Sequence, residues 1–187
     1  MRRSTDLLDL TGEWELDKEL SESMYAHMKA LGCDEIAALA SEKLQVTMQI
    51  IQTDKLMSVW QQSQLGMVHR TLYLDRATPE KSSQGDRSVT VEVKATEMIV
   101  KTTFEHGCLV DTRTVREEND QEVLNSELML SMDGVGPLKT TRIYRKLGEP
   151  NKEVTQAPDD LVATQCGLSI WNTHKSSGHM ETRRSKS

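Results

Sequence analysis

The chain has 187 residues, 36% hydrophobic and 28% charged, and its 29 acidic against 23 basic side chains give a net charge of −6. That length holds one domain with a substantial core, with or without tails. The acidic balance argues against nucleic-acid binding through general electrostatics and against adsorption to anionic membranes.

Cys33, Cys108 and Cys166 are odd in number, far apart and without C-x-x-C spacing, which points to a reducing compartment rather than to disulfides or zinc. No apolar run is long enough to span a bilayer. The start, "MRRSTDLLDL", carries basic residues but a broken apolar patch, poor for a signal peptide, and Arg2 excludes myristoylation. The expected location is cytoplasmic.

In chain order, residues 1–9 read as a flexible N-terminus. "LTGEWELD", Leu10–Asp17, places Leu10, Trp14 and Leu16 in rough alternation and predicts a first strand. Met24, Met28 and Leu31 then recur at helical spacing, with Ser21 or Ser23 as N-cap and Gly32 at C′. A second short helix follows, capped by Asp34, with Ile36, Leu39 and Ala40 on one face. From Leu44 the period is two and it persists to Lys146. Short turns such as Leu65-Gly66 and Glu118-Asn119-Asp120 separate the strands, the pattern of an antiparallel meander. Residues 76–87, "RATPEKSSQGDR", interrupt it as a loop or at best a degenerate edge strand, because Pro79 cannot donate to a ladder. A meander this long normally closes to remove its edges. Residues 147–187 have little periodic apolar content and read as a mostly disordered tail.

The last strand, "KTTRIYRK", poses a question of orientation. Thr141, Ile143 and Arg145 share one face, and Thr140, Arg142, Tyr144 and Lys146 the other. Either Ile143 faces the core and Arg142 faces water, or the interior holds a cation and a phenol. In "CLVDTRTVREE" neither face is clearly apolar: Leu109, Asp111, Arg113 and Val115 oppose Cys108, Val110, Thr112, Thr114 and Arg116. Signals for chemistry are weak. Gly134-Val135-Gly136 precedes a strand and lacks the third glycine of a dinucleotide fingerprint, no G-x-S-x-G occurs, and the five histidines read as solvated loop residues. Catalytic residues, a metal site and cofactors are therefore not expected.

One strand, two short helices and an unbroken meander ending in T-R-I-Y resemble the intracellular lipid-binding proteins, the cytosolic fatty-acid-binding and cellular retinoid-binding proteins of the calycin group. "GEWEL" (Gly12, Trp14, Leu16) is similar to the family's opening G-x-W-x-L. "MKALG" (Met28–Gly32) is similar to the end of its first helix, and "TRIY" (Thr141–Tyr144) to its closing strand. "DTRTVREENDQE" resembles the hairpin strand in which members place a second inward arginine, Arg113 being the better match and Arg116 the alternative. The resemblance covers about Leu10 to Lys146. Leu10 replaces the family's opening phenylalanine, Phe104 is the only phenylalanine, and the ten methionines could line the cavity or simply fill the core.

The resemblance implies an all-β, lipocalin-like fold: a closed antiparallel up-and-down β-barrel of nine to ten strands over residues 10–146, with a helix-turn-helix lid. It implies non-enzymatic binding of a long-chain fatty acid or similar hydrophobic carboxylate, for transport or buffering. Arg142, Tyr144 and Arg113 are the implied ligand-binding residues, with Met24, Met28, Leu31 and Ile36 beneath the lid or packed on the rim. The alternative is a structural or assembly protein that keeps the barrel as a scaffold and reaches protein partners through the tail, where Leu168, Ile170 and Trp171 form a short apolar motif.

Overall fold

The computed structural model describes residues 7–82, 85–151 and 153. The expected tail beyond that, with Trp171 and Cys166, lies outside the described residues, as do residues 1–6. The elements run β1 (Gly12–Leu16), α1 (Tyr25–Ala30), α2 (Glu35–Ser41), β2 (Thr47–Gln52), β3 (Leu56–Ser63), β4 (Gly66–Tyr73), β5 (Thr78–Ser82), β6 (Gly85–Val93), β7 (Met98–Phe104), β8 (Gly107–Glu118), β9 (Gln121–Met132) and β10 (Val135–Gly148). Among the described residues no helix is long and apolar enough to cross a membrane.

All ten strands form one antiparallel sheet in the order β4-β3-β2-β1-β10-β9-β8-β7-β6-β5, curled into a nearly closed barrel. The two-residue turn between β8 and β9 uses Asn119 and Asp120, both with positive φ, 51° and 62°. Such backbone twist suits a tight hairpin, and these two residue types tolerate it best after glycine. The fifth strand does form, at Thr78–Ser82, and it is an edge: it pairs with β6 only.

Closure is incomplete. β4 and β5 end the sheet without pairing to each other, and side chains cross the seam instead. Arg70 Nε and Nη2 donate to the two Glu80 carboxylate oxygens at 2.9 and 3.2 Å, and Tyr73 N donates to Thr78 Oγ1 at 2.9 Å. Pro79, which has no N–H, sits beside the bridging Glu80, so a backbone ladder here would lack a donor.

The two helices differ: α2 follows its capping signal and α1 its apolar pattern. Asp34 Oδ1 accepts from Ala37 N at 2.8 Å, and Gly32, with φ +86°, follows the end of α1. The N-cap position of α1 is Met24 rather than a serine; Ser23 Oγ accepts from Tyr25 N at 3.1 Å one residue earlier. Met24 and Met28 are buried and Leu31 packs beside them, as expected. Ile36 and Leu39 do not. They are 76% and 52% exposed, and α2 turns Ala38 and Ser41 inward instead. The small Ala38 side chain lets the helix backbone approach the barrel, while the Asp34 cap fixes its rotation.

Three apolar clusters result, of which two bear on the site and the third holds Leu16, Leu44 and Val46. The first gathers Leu10, Trp14, Ile50, Met57, Met98 and Leu124. The second gathers Met24, Met28 and Ala38 from the helical segment against Leu109, Leu128 and Leu130. On β9, Leu124 belongs to the first layer and Leu128 to the second, and Ser126 lies between them. A polar tier is thus enclosed between two hydrophobic ones.

Candidate ligand site

Register builds that tier. Arg113 of β8 opposes Ser126 of β9, and Ser126 opposes Arg142 of β10, so the three stand in one row across neighbouring strands. One repeat along the wall, Tyr144 opposes Leu124, which opposes Val115. The row lines a cavity of about 110 Å³ whose polar wall is Arg70, Arg87, Asp111, Arg113, Arg142 and Tyr144. Its apolar wall includes Met24, Met48 and Met57, so methionines stand where the scarcity of aromatics left room. A second cavity of about 250 Å³ lies between Leu31, Phe104, His106 and Met132, and shares Arg87, Thr102 and Leu109 with the first.

The orientation of "TTRIYRK" is now settled. Arg142 and Tyr144 line the cavity, and Ile143 on the opposite face is buried as well. The chain between β1 and α1 runs along this part of β10: Asp17 N donates to Ile143 O at 2.8 Å, and Ile143 N donates to Ser21 Oγ at 2.9 Å. Hydrophobic burial of Ile143 and inward placement of Arg142 are therefore compatible, which the alternation of faces alone made rivals.

Each cation is held differently. Arg113 Nε donates to Asp111 Oδ2 at 2.7 Å, and Ser126 Oγ donates to Asp111 Oδ1 at 2.6 Å, so both carboxylate oxygens are used. Arg113 Nη1 is buried and has no hydrogen-bond partner among the described residues. Arg142 Nη1 donates to the backbone carbonyl of Glu22 at 3.1 Å, in the segment that leads into α1. Burial pushes the Tyr144 phenol above its ordinary pKa, against the opposing pull of the Arg142 guanidinium. It stays protonated at neutral pH and can donate. Guanidinium and phenol together offer a carboxylate several donors in a dry setting, where charge-assisted bonds are strong.

Arg116 is not part of the site. It is about half exposed and paired with Glu118 at 2.7 Å. Arg70 and Arg87 of the cavity wall escaped the sequence reading, as did Glu80 and His27, which lie outside that wall. Arg70 follows Val68 and precedes Leu72 on one face of β4, so its inward placement was visible in the alternation. Glu80 lies in the segment that lacked a clear pattern. His27, expected to be solvated, is buried in α1 with its Nδ1 3.0 Å from Thr140 Oγ1. It falls three residues after Met24, on the packed face of the helix, and this spacing was the available signal.

No protein-family model matches the sequence, and no curated protein matches it. Solved structures do match in fold. The fatty-acid-binding protein 1 of Echinococcus granulosus is similar with TM-score 0.61 at 14% identity, over 74% of this chain and 98% of that one. A Schistosoma mansoni fatty acid binding protein in complex with arachidonic acid gives TM-score 0.57 at 18% identity, over 74% and 96%. Human cRBP IV gives 0.59 at 15%, over 74% and 98%. The chain has the fatty-acid-binding and retinoid-binding protein fold.

Proposed function

We propose that this protein binds a long-chain fatty acid or a similar hydrophobic carboxylate, without chemical conversion, and serves as a cytoplasmic carrier or buffer. The observation that carries the reading is the inward pair Arg142 and Tyr144, beside the unpartnered Arg113 Nη1, in a cavity that also has an apolar wall running from Met24 and Met48 to Leu128. Arg142 is half-buried and has no carboxylate partner among the described residues, so a ligand head group supplies the opposite charge it lacks. The inner cavity alone falls below the roughly 300–1,000 Å³ usual for ligand sites, whereas the two adjoining cavities, which share Arg87, Thr102 and Leu109, would together reach its lower end. The acyl chain therefore extends from the Arg142 tier past Leu109 and Thr102 toward Phe104 and Met132. Each buried methylene adds about 0.8 kcal/mol, enough to offset ordering and desolvation and leave micromolar or tighter binding. The domain over residues 10–146 carries this function, and the tail from 147 is the segment for a protein partner.

Native mass spectrometry of the purified full chain, followed by titration with a fluorescent fatty acid, tests the reading. A co-purified or added fatty acid bound one to one, and weakened by Arg142→Met, is expected. Absence of binding at micromolar fatty acid would sink it.

A further inference from the structure

The far end of the cavity is also cationic. Arg87 pairs with Glu80 across β5 and β6, and since Ser88 pairs with Thr103, Arg87 stands at the level of Phe104. Arg113 stands at the level of Met98 on the same strand, β7. The six residue steps from Met98 to Phe104 span about 20 Å at about 3.3 Å each, so the two arginine tiers enter the cavity from well-separated backbone positions. Arg87 lines both cavities and therefore marks their junction. Arg70, its neighbour across the seam, lines the inner cavity while gripping Glu80 with two hydrogen bonds.

A plain acyl chain anchored at Arg142 must run past this cluster. Its hydrocarbon would displace water from guanidinium and carboxylate groups without replacing any hydrogen bond, which opposes binding. An acidic group at that level would instead meet the planar, fork-like donors of arginine. We infer that the preferred guest carries two acid groups joined by an apolar chain: one held by Arg142 and Tyr144, the other received at the cavity junction by Arg87 with Arg70. The inference rests on the carboxylate-binding reading above and narrows its ligand class to α,ω-dicarboxylic acids.

Matched pairs separate the two. The full-length protein is titrated with decanoate, tetradecanoate and hexadecanoate and with the dicarboxylates of the same lengths, by displacement of a fluorescent fatty acid. For at least one length, the diacid is expected to bind about tenfold or more tightly than the monoacid, the usual return on a charge-assisted hydrogen bond. Its monomethyl ester, one acid blocked, should fall back to the monoacid. Arg87→Met, confirmed folded by thermal melting, should remove the diacid advantage: within the variant each diacid binds no more tightly than its monoacid. Arg142→Met should weaken both kinds of ligand. If every monoacid binds as tightly as its diacid, or if the advantage survives Arg87→Met, the second acid site is overturned while the carboxylate reading stands. If neither kind binds, the carboxylate reading itself is overturned. The wild-type comparison with the half-ester needs no variant, so it decides the matter even if Arg87→Met unfolds.

Discussion

The β8 and β10 walls face each other across a single serine, and each contributes an arginine to the same tier, yet they treat the charge in opposite ways. On β8 the chain supplies the counter-ion two residues away: Asp111 holds Arg113 and is itself steadied by Ser126. On β10 the chain supplies neutral groups, the Glu22 carbonyl on the approach to α1 and the neighbouring Tyr144 hydroxyl. A cation given its own carboxylate is built into the fold. A cation given a carbonyl dipole is satisfied geometrically but not electrically, and it retains its attraction for an anion.

Breaking the β8 pair should produce the largest effect. Arg113→Met leaves the Asp111 carboxylate buried beside Ser126 alone, and urea melts should show a loss of about 3–5 kcal/mol. A stable Arg113→Met protein would mean that the two walls are not different after all. Arg142→Met should instead cost binding: about 1.5–3 kcal/mol in fatty-acid affinity, with unfolding free energy level or raised. A clear destabilisation without lipid would place Arg142 with Arg113 as a structural cation.

Acidity tests the packing of α1 on the β10 wall. Burial holds the His27 imidazole below its ordinary pKa. The unfolded chain therefore takes up this proton first, and the stability that neutral His27 contributes is complete above about pH 6.5 and declines as pH falls below it. The slope from this one group is at most about 1.4 kcal/mol per pH unit. His27→Gln melts should show a shallower loss between pH 7 and 5 than wild type, and an unchanged slope would remove His27 from the account. Tyr144→Phe deletes one donor with little packing change and should weaken fatty-acid binding by about 0.5–1.5 kcal/mol. Least of all, Ile36→Ser on the exposed face of α2 should alter stability by no more than about 0.5 kcal/mol, whereas Met28→Ala beneath α1 should cost about 2–5 kcal/mol.

The inward arginine and tyrosine of β10 were legible because a strand with two plausible faces carried a recognisable closing motif. The architecture was legible because an alternation held from Leu44 to Lys146 describes half-buried strands and little else. Other features depend on tertiary geometry. Ile36, Leu39 and Ala40 form an apolar helical face, but a seven-residue helix docks by whichever side allows close approach, and Ala38 does so. The Arg70–Glu80 bridge joins strands with no backbone pairing between them, so neither register nor periodicity could have announced it. The same holds for Asp111: its spacing from Arg113 was visible in sequence, but the Ser126 hydroxyl that fixes it comes from the next strand.

The seam between β4 and β5 also bears on the girth of the molecule. In a fully laddered barrel, strand number and stagger together set the circumference, and widening the ring would break backbone hydrogen bonds along a whole strand. Here the circumference is completed by a bidentate ion pair and one hydroxyl, groups with several soft torsions between backbone and bond. The wall can therefore yield to a broader guest by swinging two side chains while all nine strand ladders stay intact. Girth in this protein rests on side chains at the seam, so Glu80→Gln would loosen the ring before it weakened any strand.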